Sequence, residues 1–455
     1  MNVAASHSPP PRPPASLPRR SGHPLLGHLA MFRNDRIGMC LDIARTHPEI
    51  VELSMGVVRH IVAVSAPALA NEVLSTKQAS FVKSPGLSIF LRPVLGDGLL
   101  TSEHGAHERQ RKLLAPAFAP KRIAAYAVTM ADRADRFAAD LKDGERLDAA
   151  DGLMRLTFGI VGKTLFDAEV LGDATAVGEA LTTAMNVAMM QLSSLIPVPP
   201  KIPTPQNLRY RRAVARLDEV IYRVIRERRA EGGDRGDVLS TLLEAKDEDG
   251  APMTDRQVRD EAMTLFLAGH ETTANALAWT FYLLARNPEA RARLEAEVDT
   301  LAAPPTYEEL KKLPYTLAVA KEAMRLFPPV YLLGRRATED VVVGGHVVKK
   351  NSIVFVNTMG IHHRPDLYPN PGAFEPERFL GDKEKQLPRC GYMPFGAGPR
   401  VCIGNHFALM EAHLLLATIA RRVRFELTSD RPIEPEPLVT LRPKNGLPVR
   451  VVTRL

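Results

Sequence analysis

Phe395-Gly396-Ala397-Gly398-Pro399-Arg400-Val401-Cys402-Ile403-Gly404 sets a single cysteine in a glycine-rich turn, and the residues after it repeat apolar side chains at helical spacing. A thiol ionises poorly at neutral pH, its ordinary pKa being about 8.5. A metal ion, a helix N-terminus and backbone N–H groups each favour the anion, and Cys402 stands where all three can act. Gly396, Gly398 and Gly404 permit a tight chain path on which N–H groups face the sulfur and a flat macrocycle lies close to the backbone. Pro399 stiffens that turn. Phe395 is placed to shield the sulfur from water, and Arg400 to meet an acidic group of the macrocycle in a charge-assisted pair. The turn reads as a thiolate ligand for macrocycle-bound iron, against the alternative of a buried structural cysteine.

Other segments carry chemistry of their own. Arg256 to Arg286 has the period of one long helix, ended by Asn287-Pro288, with Ala268-Gly269-His270-Glu271-Thr272-Thr273 at its centre. A mid-helix glycine costs about 1 kcal/mol relative to alanine, and a threonine hydroxyl bonded back one turn bends a helix. A local opening is expected there, with room for dioxygen and with Glu271 and Thr272 as a carboxylate and a hydroxyl able to pass protons. Glu322-Ala323-Met324-Arg325 places acid and base on one helix face. His107 and Arg111 lie one helical turn apart, able to approach one anion.

These segments, in this order, resemble the signatures of the cytochrome P450 superfamily of heme-thiolate monooxygenases. Phe-x-x-Gly-x-Arg-x-Cys-x-Gly is matched at every fixed position by residues 395–404, and Ala/Gly-Gly-x-Asp/Glu-Thr-Thr by residues 268–273. The resemblance runs from about residue 22 to the end. It implies a mainly α fold with a small β-rich subdomain, heme b lying between the oxygen-side helix and the helix after the cysteine loop. Cys402 is then the iron ligand, with Phe395, Gly396, Gly404 and Ala268 around the cofactor. Thr272 resembles the oxygen-activating threonine and Glu271 its acidic neighbour, while His270 fills the variable position. His107, Arg111, Arg335 and Arg400 match positions that hold the heme propionates, with Arg336 as a rival to Arg335. The family pairs its Glu-x-x-Arg helix with an arginine from a segment like Pro376-Glu377-Arg378-Phe379, so Glu322, Arg325 and Arg378 are expected to form a buried structural network that locks the proximal loop.

The same resemblance places the substrate pocket. Its walls are expected from Ile89, Phe90 and Leu91 after Ser84, from Leu195 and Ile196 in a proline-rich lid, and from Phe266. Val330, Leu332 and Leu333 after Pro328-Pro329, and Val439 near the C-terminus, complete it. These residues are apolar and suit a neutral or largely aliphatic substrate: a fatty acid, terpenoid, steroid-like or polyketide-type compound. Arg92 is a candidate carboxylate anchor or an outward-facing charge. The implied reaction inserts one oxygen atom from O2, as hydroxylation or epoxidation. The short stretch after Cys402 has no space for a flavin domain, so electrons from NAD(P)H are expected through a separate ferredoxin or flavodoxin with its reductase. Rival readings are a peroxide-driven peroxygenase or heme isomerase on the same fold, or a non-catalytic heme sensor. The Glu271-Thr272 pair favours the monooxygenase.

Composition sets the outer bounds. The 455 residues are 45 % hydrophobic and 24 % charged, which suits a globular chain with a large core. No apolar run reaches membrane length, and the proline-dense start with Arg12, Arg19 and Arg20 has no apolar segment typical of a signal peptide. No membrane anchor and a cytoplasmic location are therefore expected. Cys40, Cys390 and Cys402 are an odd, sparse set that suits a reducing compartment. The net charge of +7 is spread out, which points to an acidic protein partner rather than nucleic acid. That partner is expected to dock near Arg109, Lys112 and Arg421, the other basic clusters reading as solvated helix faces. Residues 1–23 read as a flexible tail and 24–455 as one domain, expected to be monomeric. A hairpin is expected at Ile50–Ser54 and Val58–Val64, helices from about 105 to 330, a second strand-rich patch from Asp340 to Asn357, and a helix-free loop from Leu195 to Gln206.

Overall fold

The computed structural model of the chain describes residues 15–56, 58–86, 89, 91–166, 174–192, 198, 201–246 and 250–454. Five strands form the main sheet: β1 (Ile50–Met55), β2 (Val58–Val64), β3 (Phe81–Lys83), β4 (Leu333–Ala337) and β5 (Ile353–Val356), in the order β1-β2-β5-β4-β3. The expected hairpin is β1 with β2, paired antiparallel from Ile50 opposite Val64 to Met55 opposite Val58. β2 runs parallel to β5, from Ile61 beside Ile353 to Val64 beside Val356. β4 lies antiparallel between β5 and β3 and begins ahead of the strand-rich patch read from sequence. Its two central arginines break the apolar alternation; neighbours on both sides make it a strand.

Part of the stretch expected as a flexible tail lies against the main sheet. Residues 15–20 run beside the sheet, where the Glu52 N–H donates to the Pro18 carbonyl and the Arg20 N–H to the Glu52 carbonyl. Leu17 packs on the apolar cluster below. The open edge of β1 supplies unpaired backbone groups, and those outweigh a proline-rich composition.

The helical part is built from α1 (Arg36–Thr46), α2 (His104–Leu114), α3 (Pro120–Asp140), α4 (Ala149–Phe166), α5 (Ala174–Leu192), α6 (Pro205–Glu231), α7 (Asp255–Arg286), α8 (Pro314–Leu326) and α9 (Asn405–Arg422). α7 is the central rod. It lies along α4 and also meets α6, α8 and α9, while α9 lies along α3. Its start is fixed by a capping box in which the Thr254 hydroxyl and the Gln257 side chain satisfy each other's backbone N–H. Most of its residues are buried, as befits a helix covered on several sides. Near its C-terminal end, Trp279 stacks on Phe327 with ring centroids 4.0 Å apart and donates its indole N–H to the Leu441 carbonyl at 3.0 Å. That bond ties the C-terminal loop to the rod.

Part of the expected proline-rich loop, including Leu195 and Ile196, lies outside the described residues. Its far end is defined by Thr204, whose hydroxyl caps α6 by accepting from the Asn207 N–H, with Pro205 in the first turn. A further sheet passes unnoticed in the sequence: Arg146–Asp148 and Val423–Leu427 both pair antiparallel with Pro448–Thr453. Val449 and Val451 point inward and Arg450 outward, an alternation that was there to be read.

Candidate active site

The cysteine loop is held before its sulfur is placed. The Met393 N–H donates to His362 Nε2 at 2.9 Å, the Tyr368 hydroxyl to the Gly391 carbonyl at 3.0 Å, and the Tyr392 hydroxyl to the Lys321 carbonyl at 3.0 Å. Burial keeps His362 neutral, at about 3, so it can accept that bond. The expected acid–base network stands behind these residues. Arg325 meets Glu322 through two bonds of 2.7 Å with both side chains fully buried, and Arg378 Nε lies 3.5 Å from Glu322. Arg325 also donates to the carbonyls of His362, Pro371 and Ala373. Glu322 and Arg325 thereby reach the cysteine loop through His362, a link the sequence did not announce.

Within the loop, the Cys402 N–H donates to the Phe395 carbonyl at 3.0 Å. Gly398 has φ +71°, and a Cβ on it would fall 1.9 Å from the Leu74 carbonyl oxygen, so no other residue fits. Cys402 is exposed, unlike Cys40 and Cys390. Burial pushes Cys40 up to about 12 and makes it inert. Burial of its surroundings also raises Cys402, while the Gly404 N–H and Arg111 pull it down.

A cluster of basic residues gathers beside the loop. Lys83 on β3 and Arg335 on β4 are paired residues on adjacent strands, a like-charge arrangement that is unfavourable by itself. Burial and then Arg400 lower both, Lys83 to about 7 and Arg335 to about 10. His107 is buried and held at about 4, by burial first and then by Lys83. Arg111 donates to the Val401 carbonyl at 2.7 Å. Arg400 pairs with Glu103, yet its Nη1 is buried without a hydrogen-bond partner among the described residues. Arg336, the rival of Arg335, turns outward to the Asn351 side chain. Lys83 and Glu103 were not among the expected residues, and no local pattern marks either. A groove of about 660 Å³ opens here, lined by His107, Arg111, Lys112, Pro399 and Arg400 among others.

On α7 the expected opening is not present as a break: the helix is continuous through Gly269. A Cβ on Gly269 would stand 3.0 Å from Val161, so the glycine serves the close approach of α4. The Thr272 hydroxyl donates to the Ala268 carbonyl at 2.8 Å. Glu271 accepts from the Thr440 hydroxyl at 2.5 Å, and the Asn275 amide donates to Thr440 at 3.1 Å. His270 turns away from this face, bonding the Phe266 carbonyl and packing edge-on against Phe158. Thr273, the residue after Thr272, faces buried Glu411 of α9, which burial pushes up to about 8.

The expected pocket residues separate. Phe266 packs on Phe158 and Phe166 in the core, on the α4 side of α7, and lines a small apolar cavity there with Phe166, Leu217 and Met263. Leu91 is buried in the same core, whereas Ile89 is exposed. Val330, Leu332, Leu333 and Val439 are half-buried, and Phe90, Leu195 and Ile196 lie outside the described residues. Arg92 is exposed and paired with Asp97. Arg421, expected on the docking surface, is buried and caps the carbonyls of Leu301 and Ala302. Loop carbonyls past the helix Pro288–Val298 draw in an arginine that composition had assigned to solvent.

The cytochrome P450 family model matches residues 17–449. Cyclooctatin synthase of Streptomyces melanosporofaciens is 36 % identical over 425 residues, covering 92 % of each chain. Cyclooctat-9-en-7-ol 5-monooxygenase of the same organism is 36 % identical over 431 residues, 93 % of this chain and 92 % of that one. Pentalenene oxygenase of Streptomyces avermitilis is 31 % identical over 437 residues, covering 95 % and 96 %. The crystal structure of the cytochrome P450DA heme domain superposes with a TM-score of 0.88 at 29 % identity, over 98 % of this chain and 99 % of that one. The fold and the site thus define a heme monooxygenase, and the chain belongs to the cytochrome P450 family. Heme is the group this family carries, and the residues present fit it: one exposed thiol, and beside it desolvated cations with an unpartnered guanidinium nitrogen that require anions.

Proposed function

We propose that this chain binds heme b through Cys402 and inserts one oxygen atom of O2 into a neutral, polycyclic terpenoid hydrocarbon or alcohol. The observation that carries the cofactor assignment is the exposed Cys402 beside the basic cluster of Lys83, Arg335 and Arg400, with a neutral His107 among them. Arg335, Arg400, His107 and Arg111 hold the two propionates, and Gly396, Gly404, Phe395 and Ala268 lie against the ring. Bound there, heme with a thiolate ligand supplies O–O cleavage and oxidation of unactivated carbon.

The chain's own groups do the rest. Thr272, whose hydroxyl proton is committed to the Ala268 carbonyl, keeps its lone pairs free to accept a proton, and Glu271 delivers one. The substrate class rests on the half-buried Val330, Leu332, Leu333 and Val439, on Arg92 being paired with Asp97, and on relatives named for cyclooctat-9-en-7-ol and pentalenene. Electrons come from an acidic ferredoxin or flavodoxin with its reductase, docking on the exposed Arg109 and Lys112 beside the cysteine loop. We place this reaction in the cytoplasm; among the described residues no helix is long and apolar enough to cross a membrane.

The test is spectroscopic. The reduced, carbon-monoxide-treated holoprotein is expected to show the red-shifted Soret band of sulfur-anion ligation, and Cys402→Ser to lose it while retaining bound heme. A folded, heme-loaded wild type without that band would sink the assignment. Cyclic terpenes and their alcohols, titrated against the ferric protein, are expected to give a low-spin to high-spin shift that long-chain carboxylic acids do not.

A further inference from the structure

The hydrogen-bond chain from Asn275 through Thr440 to Glu271 has a fixed direction. A hydroxyl owns one proton. The Asn275 Nδ2 donates into the Thr440 oxygen at 3.1 Å, so the Thr440 proton is the one that points at Glu271 Oε1, 2.5 Å away. Asn275 and Thr440 are both buried, at 2 % and 4 % exposure, so water does not compete for these bonds. Among the described residues no lysine or arginine pairs with Glu271, which leaves Thr440 as its one side-chain donor there.

The loop carrying Thr440 is anchored on both flanks. Arg36 donates to the Pro437 carbonyl at 2.9 Å and the Tyr331 hydroxyl to the Leu438 carbonyl at 3.0 Å. On the other side the Leu441 N–H reaches the Pro329 carbonyl at 2.9 Å, and Trp279 of α7 holds the Leu441 carbonyl. Thr440 is therefore a rigid donor, set by the same helix that carries Glu271. We propose that Thr440 is a positioning residue for the proton-delivering acid: it fixes one carboxylate oxygen of Glu271 toward the C-terminal loop and so leaves the other to hand protons toward Thr272. This rests on the monooxygenase reading above. Without that orientation, O2, two electrons and two protons leave as hydrogen peroxide, when the same electrons should end in one oxygen atom in product and one in water.

The experiment uses purified holoproteins, reduced nicotinamide cofactor, a plant-type ferredoxin with its reductase as electron donor, and whichever cyclic terpene gives the largest spin-state shift. Peroxide formed per O2 consumed is the readout, and with no shifting terpene the protein is assayed alone for O2 consumption. Thr440→Val is expected to lower the rate of proton-dependent O2 turnover about fivefold and raise the peroxide share, as loss of one charge-assisted hydrogen bond does. Thr440→Ser, which keeps the hydroxyl, is expected to stay within about twofold of wild type. In a Glu271→Gln background, Thr440→Val is expected to add nothing, because residues acting through one group are not additive. If the valine variant loses heme, Thr440→Ala takes its place. Unchanged turnover in the valine or alanine variant, no rescue by serine, or full additivity with Glu271→Gln would overturn the proposal. Absence of the red-shifted carbon-monoxide band in wild type would instead overturn the monooxygenase reading itself.

Discussion

Arg335 and Arg336 are neighbours of identical chemistry with opposite surroundings, and strand alternation is the cause. Arg335 turns inward to a desolvated position beside Arg400; Arg336 reaches Asn351 at the surface. Arg335→Gln is therefore expected to weaken heme retention, measured as loss to apomyoglobin over time, while Arg336→Gln changes it little. Glu411 offers a second residue-level test. Its folded value of about 8 lies above the ordinary 4.5, so between those pH values the folded chain keeps a proton that the unfolded chain has lost. Stability from this group falls as pH rises through that window. Glu411→Gln is expected to melt above wild type at pH 8, with the gap closing toward pH 5, in scanning calorimetry of the holoprotein. Glu411 had a visible signal, a lone acid amid the apolar positions of α9. Thr440 had none: a threonine in a proline-rich loop says nothing of the carboxylate it meets from another part of the chain.

At the level of elements, the Glu-x-x-Arg turn of α8 works by extension. Arg325 spends its donors on Glu322 and on three carbonyls, and one of those belongs to His362, whose ring holds the Met393 N–H. Arg325→Ala leaves Glu322 buried without its partner, a loss of about 3–5 kcal/mol. Denaturant unfolding of the holoprotein is expected to show that drop, with heme released early in the transition; an unchanged midpoint would contradict the linkage. Elements with local periodicity were legible in the sequence: the hairpin of β1 and β2, and α7 to within a residue at its start. β4 was not, because its strand character comes from β3 and β5 on either side. The reason for Gly269 was misread for a similar cause, since the approach of α4 lies outside any single helix.

For the whole molecule, the net charge of +7 acts through where it is exposed. Arg421 is withdrawn to the Leu301 and Ala302 carbonyls and Arg228 to a buried pair with Asp237, whereas Arg109 and Lys112 remain exposed on α2 next to the cysteine loop. Lys112→Glu is expected to slow reduction by an acidic ferredoxin severalfold at low ionic strength, with the difference fading as salt is added, and to leave substrate-induced spin shifts intact. Stopped-flow rates equal to wild type at low salt would remove this face from the docking surface.

The parallel pairing of β2 with β5 also orders events during synthesis. The hairpin emerges from the ribosome early, yet one of its edges stays open until residues near 353 have been made. Of the residues proposed to hold heme, Arg335, Arg400 and Cys402 emerge later than His107 and Arg111, so a nascent chain holds only part of that set until late. On that proposal, cofactor capture is confined to the last part of translation or after it, and messages cut short before that point yield chains with a bare strand, prone to self-association and to removal by chaperones and proteases.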